Sequence, residues 1–154
     1  MPALQPSLKG RALRYLAARE HSRAELERKL SSHESEPGEM ARVLDELAAK
    51  GFINEERVVE SVLHRRAGRL GAGRVMQELR SKGIGAEALA EAAESLRATE
   101  LDRAREVWRK KFGATAGSPI EPAERARQMR FLAARGFSAE VVRRVVRGDF
   151  DDEP

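Results

Sequence analysis

The side chains in this chain best suited to catalysis or metal binding are three histidines, His21, His33 and His64, and a large set of glutamates. A metal centre needs ligands that a short motif or one helix face brings together. The histidines lie 12 and 31 residues apart and none stands at ligand spacing from another, so no metal site is expected. His21 directly precedes a helix-capping serine and reads as a surface or turn residue. Cysteine is absent, which removes thiol nucleophiles, disulfides and thiolate metal sites. Gly68-Arg69-Leu70-Gly71-Ala72-Gly73 has the glycine density of a phosphate loop, but no Lys-Ser/Thr pair and no preceding strand. It reads as a turn between helices. The glutamates sit on polar helix faces with arginines three or four residues on, the spacing of solvated ion pairs rather than catalytic acids. The expectation is a protein that is not an enzyme and uses no cofactor.

The chemistry that remains is recognition of negative charge. Net charge is +4, and 23 of the 29 basic residues are arginine, whose guanidinium makes forked contacts with phosphates and carboxylates. Residues 1–51 are nearly balanced. By contrast Arg65, Arg66, Arg69, Arg74, Arg80 and Lys82 face Glu78 alone within residues 65–82. Arg65 and Arg66 suit the negative end of a helix. Arg69 falls in a loop and Arg74 at a helix start, where positive charge is unfavourable, so helix chemistry does not account for them. Arg65, Arg66, Arg69 and Arg74 are therefore expected to form a surface for an anionic partner, either acidic protein patches or nucleic-acid phosphates. Arg143, Arg144 and Arg147 form a second, weaker candidate. Trp108 lies on a stripe with Leu101, Ala104 and Phe112 and is read as core rather than as a base-stacking platform.

These residues need elements to hold them. Only 5% of the chain is aromatic while 35% is charged, a mixture rich in Ala, Leu, Arg and Glu that favours helices over sheets. An all-α fold is expected. A first helix is predicted over Leu8–Arg19. Ser22-Arg23-Ala24-Glu25 is a capping box opening a second. A third runs from Glu39 to Lys50, with Met40, Val43, Leu44 and Leu47 forming its buried stripe. Asn54 caps the next helix, and Val75, Met76 and Leu79 mark a short one. Leu89, Ala92, Ala93 and Leu96 mark another, and a new unit begins near Glu100. Helices over Ala123–Arg135 and Ala139–Arg147, the latter capped by Ser138, complete the pattern.

ELRSKGIGAEAL (78–89) and FLAARGFSAEVV (131–142) repeat the same punctuation 53 residues apart: Leu79 matches Leu132, Gly83 matches Gly136, and Ile84 matches Phe137. AELERKL (24–30) aligns with GRVMQEL (73–79) in the same way. The reading is three tandem three-helix units, 1–52, 53–98 and 99–150, in an elongated curved rod with an acidic tail at 151–154. Each unit is too small for an independent core, so neighbours share interfaces. No apolar run suits a signal peptide or a membrane span, so a cytoplasmic protein with no membrane partner is expected, and a monomer.

YLAAREHSRAELERKL (15–30), GFINEERVVESVLHRRAGRLGAGRVMQELRSKGI (51–84) and RFLAARGFSAEVVRRV (130–145) together resemble the RecX family, regulators of the RecA recombinase. The resemblance covers nearly the whole chain in order. The family's central acidic motif, Asp-Asp followed shortly by Arg and an aromatic residue, stands here as Asn54-Glu55-Glu56-Arg57-Val58; cap, acid and Arg57 are kept and the aromatic ring is not. The resemblance implies a tandem three-helix fold and binding along the RecA–DNA filament. It also implies altered filament growth, with less ATP hydrolysis and strand exchange, in DNA repair and the SOS response. Arg57, Arg80 and Lys82 join the four arginines as partner contacts on this reading. The alternative is a direct binder of single- or double-stranded DNA built on helix-turn-helix-like pairs.

Overall fold

Local side-chain chemistry starts and stops each helix. The computed structural model describes residues 5–115 and 119–148, which form α1 (Leu8–Ala18), α2 (Arg23–Leu30), α3 (Glu39–Ala49), α4 (Glu55–Arg66), α5 (Ala72–Ser81), α6 (Ala86–Phe112), α7 (Pro122–Ala134) and α8 (Ala139–Arg147). No strand occurs among the described residues, and the acidic tail lies outside them. The capping box forms as its sequence requires. The Glu25 amide donates to Ser22 Oγ at 3.1 Å, and the Ser22 amide donates to Glu25 Oε1 at 3.1 Å. Asn54 and Ser138 cap α4 and α8 through their side-chain oxygens. The repeated punctuation is one device: the amides of Ile84 and Phe137 reach back to the carbonyls of Leu79 and Leu132, across glycines in the left-handed region. Phe52 makes the same bond to Leu47 across Gly51.

Three small cores lie in series instead of merging into one. Leu8, Ala12, Leu26, Leu30, Leu44 and Leu47 join α1, α2 and α3. Val58, Val62, Val75, Met76, Leu79, Ile84, Ala92 and Leu96 join α4, α5 and the first half of α6. Ala104, Val107, Leu132, Phe137, Val142, Val145 and Val146 join the second half of α6 to α7 and α8. The structure corrects one expectation here. The two helices predicted on either side of Glu100 are a single helix of 27 residues. Residues 86–112 contain neither Gly nor Pro, so nothing in them stops the hydrogen-bond ladder.

The seam between the first two bundles is built from buried polar groups. Glu25 is not a solvated surface acid. It is buried, accepts from Arg19 at 2.8 Å and lies 3.1 Å from the Lys82 ammonium. His21, expected at the surface, is 1% exposed. Its Nδ1 faces the Arg19 carbonyl at 3.1 Å and its Nε2 faces the Lys29 ammonium at 2.9 Å. A carbonyl only accepts and an ammonium only donates, so the ring is neutral with its proton on Nδ1. Burial and then the neighbouring cations hold His21 below its ordinary 6.5. Burial alone would raise Glu25, but the hydrogen bonds from Arg19, the Ser22 amide and Lys82 bring it down from 4.5 to about 2.

Both shifts have the same sign, since each folded-state pKa lies below its unfolded value. The stability they contribute is complete above pH 6.5 and is lost as pH falls, through the histidine first and then through the glutamate between 4.5 and about 2. Glu25 alone supplies on the order of 3 kcal/mol of that loss. Glu25→Gln should flatten the acid limb of stability measured by urea titration from pH 7 to pH 2; an unchanged limb would remove the ion pair as its cause.

Candidate functional site

The basic segment lies where the second bundle meets the third, and backbone-to-backbone contact positions it. The Gly71 amide donates to the Arg135 carbonyl at 2.8 Å, and the Gly73 amide to the Gly136 carbonyl at 3.1 Å. A Cβ on Gly71 would stand 2.3 Å from the Gly136 carbonyl carbon, so only glycine allows this approach. The glycine-rich turn therefore grips protein backbone, not phosphate. Below it, the buried carboxylate of Glu100 accepts from the amides of Ala72 at 3.4 Å and Ser138 at 3.2 Å. One side chain from the middle of α6 thus serves the starts of both α5 and α8. Arg103, one turn on, donates to the carbonyls of Ala67, Leu70 and Leu96 at 2.7–2.9 Å. Burial lowers its pKa, a shift the nearby Glu100 opposes.

The same device recurs one bundle earlier. Glu55, at the start of α4, accepts from the Gly85 amide at the start of α6. Glu55 with Gly85, and Glu100 with Ser138, are equivalent pairs in successive bundles. In the sequence Glu55 reads only as an acid against the positive end of its own helix, and neither clamp is apparent. The signal was present as a glutamate near the start of the second and third units, Glu55 and Glu100.

The anticipated contact residues occupy different settings. Arg65 and Arg66 both turn to Glu78, at 3.5 and 3.1 Å. Arg74 is exposed but donates to the Ala134 carbonyl at 3.0 Å, so a cation at a helix start here serves the end of another helix. Arg69 and Arg80 are exposed. Arg57 binds Glu20 at 2.8 Å and the Gly51 carbonyl, tying the first bundle to the second. Lys82 departs from expectation: its side chain is 11% exposed and serves the Glu25 seam instead of a surface. On α8, Arg143 and Arg147 are exposed and Arg144 is half-buried. The structure brings Arg65, Arg66, Arg69 and Arg74 onto one stretch between α4 and α5, while Arg143, Arg144 and Arg147 belong to a separate helix.

Trp108 packs against the third core and donates from Nε1 to the buried Gln128 at 2.8 Å, which fits its reading as core. Among the described residues no group of histidine and acidic side chains is arranged to hold a metal ion, and no helix is long and apolar enough to cross a membrane.

Comparison with known proteins follows the same three-part division. Residues 9–47, 54–92 and 98–146 match, in order, the first, second and third three-helix domains of RecX. The last two matches divide within α6, the helix that two cores share. The Regulatory protein RecX of Leptothrix cholodnii is 58% identical over 143 residues, covering 93% of this chain and 89% of the relative. That of Ralstonia nicotianae is 46% identical over 159 residues, covering 100% of this chain and 98% of the relative. The crystal structure of RecX from Lactobacillus salivarius shares the fold with a TM-score of 0.75 at 18% identity, covering 92% of this chain and 93% of that one. Matched domain by domain over almost its whole length, this chain belongs to the RecX family.

Proposed function

We propose that this protein is a non-catalytic regulator, mainly an inhibitor, of the RecA recombinase, and that it acts by binding the RecA–DNA filament. The observation that carries the reading is identity of 58% and 46%, over nearly the whole chain, to proteins named Regulatory protein RecX. Three bundles in series suit a partner that repeats along its length, because one molecule then touches several protomers. A regulator of this kind shifts the filament between states only through a difference in affinity for them. Arg65, Arg66, Arg69 and Arg74 supply the charged contact, with Arg57, Arg80, Arg143, Arg144 and Arg147 around it.

Substoichiometric protein added to RecA, single-stranded DNA and ATP should lower ATP turnover. Unchanged turnover across a wide concentration range would overturn the proposal. Converting Arg65, Arg66, Arg69 and Arg74 together to alanine should weaken filament binding by about 2 kcal/mol, roughly thirtyfold, with the helical circular dichroism preserved. Undiminished binding by the folded variant would move the contact elsewhere. A direct DNA binder would instead bind naked duplex as well as filament, with a steep dependence of affinity on salt.

A further inference from the structure

Beside the segment just described lies a groove of about 290 Å³ that shares only Arg69 with the filament contact. Its rim carries four cations, Arg69 from the α4–α5 turn, Lys110 and Lys111 from the end of α6, and Arg135 from the end of α7, and its floor is Val107 and Phe131. Among the described residues no carboxylate lines it. The acid preceding Val107 on α6, Glu106, is turned to Arg109 at 2.6 Å. Crowding like charges around a shared hollow costs free energy that folding does not return. Two of the cations are also held in place: Arg135 donates to the Arg69 carbonyl at 3.3 Å and stands 4.9 Å over the Phe131 ring, and Lys111 stands 5.6 Å over the same ring. Cations ordered before a ligand arrives lose less entropy on binding it.

The ligand must satisfy an apolar floor as well as a positive rim. Single-stranded nucleic acid would use the floor by stacking a base, but Phe131 already meets Lys111, Arg135 and, edge-on at 5.4 Å, Phe112. The hollow takes one aliphatic side chain with its flanking backbone. We propose that this groove is a binding site for an acidic protein segment that seats one apolar side chain on Val107 and Phe131 and directs its flanking carboxylates to Arg69, Lys110, Lys111 and Arg135. The proposal stands apart from the RecA reading, because it concerns a short peptide and is tested without RecA.

The test is fluorescence anisotropy at low salt with a labelled peptide in which two glutamates flank a leucine on each side, using the full chain. Charge reversal at Lys110 and Lys111 together should weaken binding at least tenfold; both are exposed, so the fold is kept. Arg14→Glu, on α1 and outside the groove, should leave it within about twofold. Replacing the peptide's leucine by serine should weaken binding at least fivefold. Three results would overturn the proposal: equal binding by the serine peptide, which would leave only unspecific charge; displacement of the peptide by an oligonucleotide of equal charge at lower concentration, which would assign the groove to nucleic acid; or a tenfold gain on removing residues after Gly148, which would assign it to the chain's own Asp149–Glu153.

Discussion

Glu100→Ala is expected to destabilise the protein by about 3 kcal/mol. The side chain is 7% exposed and one carboxylate oxygen accepts from the first amide of α5 and from the cap residue of α8. Alanine leaves both part-buried amides without that acceptor, at about 1 kcal/mol each, and leaves Arg103 without the carboxylate that offsets its burial. Glutamine keeps an acceptor oxygen and loses only the charge, so Glu100→Gln should cost about 1 kcal/mol. Chemical denaturation measures the totals. Hydrogen exchange locates them: the amides of Ala72 and Ser138 should lose protection in the alanine variant ahead of the rest of their helices. A loss below 1 kcal/mol, or protection kept at both amides, would show that Glu100 does not bind the two bundles together.

Glycine-to-alanine changes at three positions should rank Gly136 above Gly71 above Gly51. Gly51 has φ +82° and open space, with nothing within 4 Å of where a Cβ would stand, so alanine there bears only the left-handed penalty, about 1 kcal/mol. Gly71 has an ordinary φ of −76°, and alanine is opposed only by the Gly136 and Phe137 backbone at 2.3 Å. Relief requires the seam to open, with loss of the Gly71–Arg135 and Gly73–Gly136 hydrogen bonds, at about 2–3 kcal/mol. Gly136 combines both terms. Its φ is +94°, and a Cβ would stand 2.6 Å from the Arg74 backbone nitrogen and 2.3 Å from that residue's Cγ. Its substitution should cost about 4 kcal/mol. Denaturation midpoints of the three variants decide the ranking. Equal losses at Gly51 and Gly136 would mean that the close approach of the two turns carries no energy.

The features legible in the sequence were those set within one helical turn. Ser22 with Glu25, Asn54, Ser138 and the glycine–apolar pairs at 51–52, 83–84 and 136–137 each end or begin a helix through atoms at most five residues away. The apolar stripes of α3 and α5 show their buried faces for the same reason. What stayed hidden depends on partners brought together by folding. Gly71 and Gly136 are 65 residues apart, and the need for glycine at both is visible only once their backbones touch. Lys82 sits in a basic run that looks like surface, yet Glu25, from another bundle, draws it inside. Glu100 resembles any helical glutamate until two other helices point their first amides at it. The boundary expected near that residue is a change of core and not of helix: residues 86–112 hold no breaker, and one helix serves two cores. Of the candidate surface, the clustering of arginines was readable. The groove that adds Lys110, Lys111 and Arg135 to Arg69 was not, because it joins three separate segments.

That uninterrupted helix makes the two joints of the molecule mechanically unlike. At 1.5 Å per residue its 27 residues run about 40 Å, and a continuous hydrogen-bond ladder resists both bending and torsion. It acts as a ruler, fixing the spacing and rotational phase of the two bundles it threads. The first bundle is attached by a turn at Gly51 and by side-chain ties such as Arg57 to Glu20 and Lys82 to Glu25. The joint that a continuous helix crosses is therefore the stiffer of the two, and the one held by a turn and side-chain ties is the more easily bent.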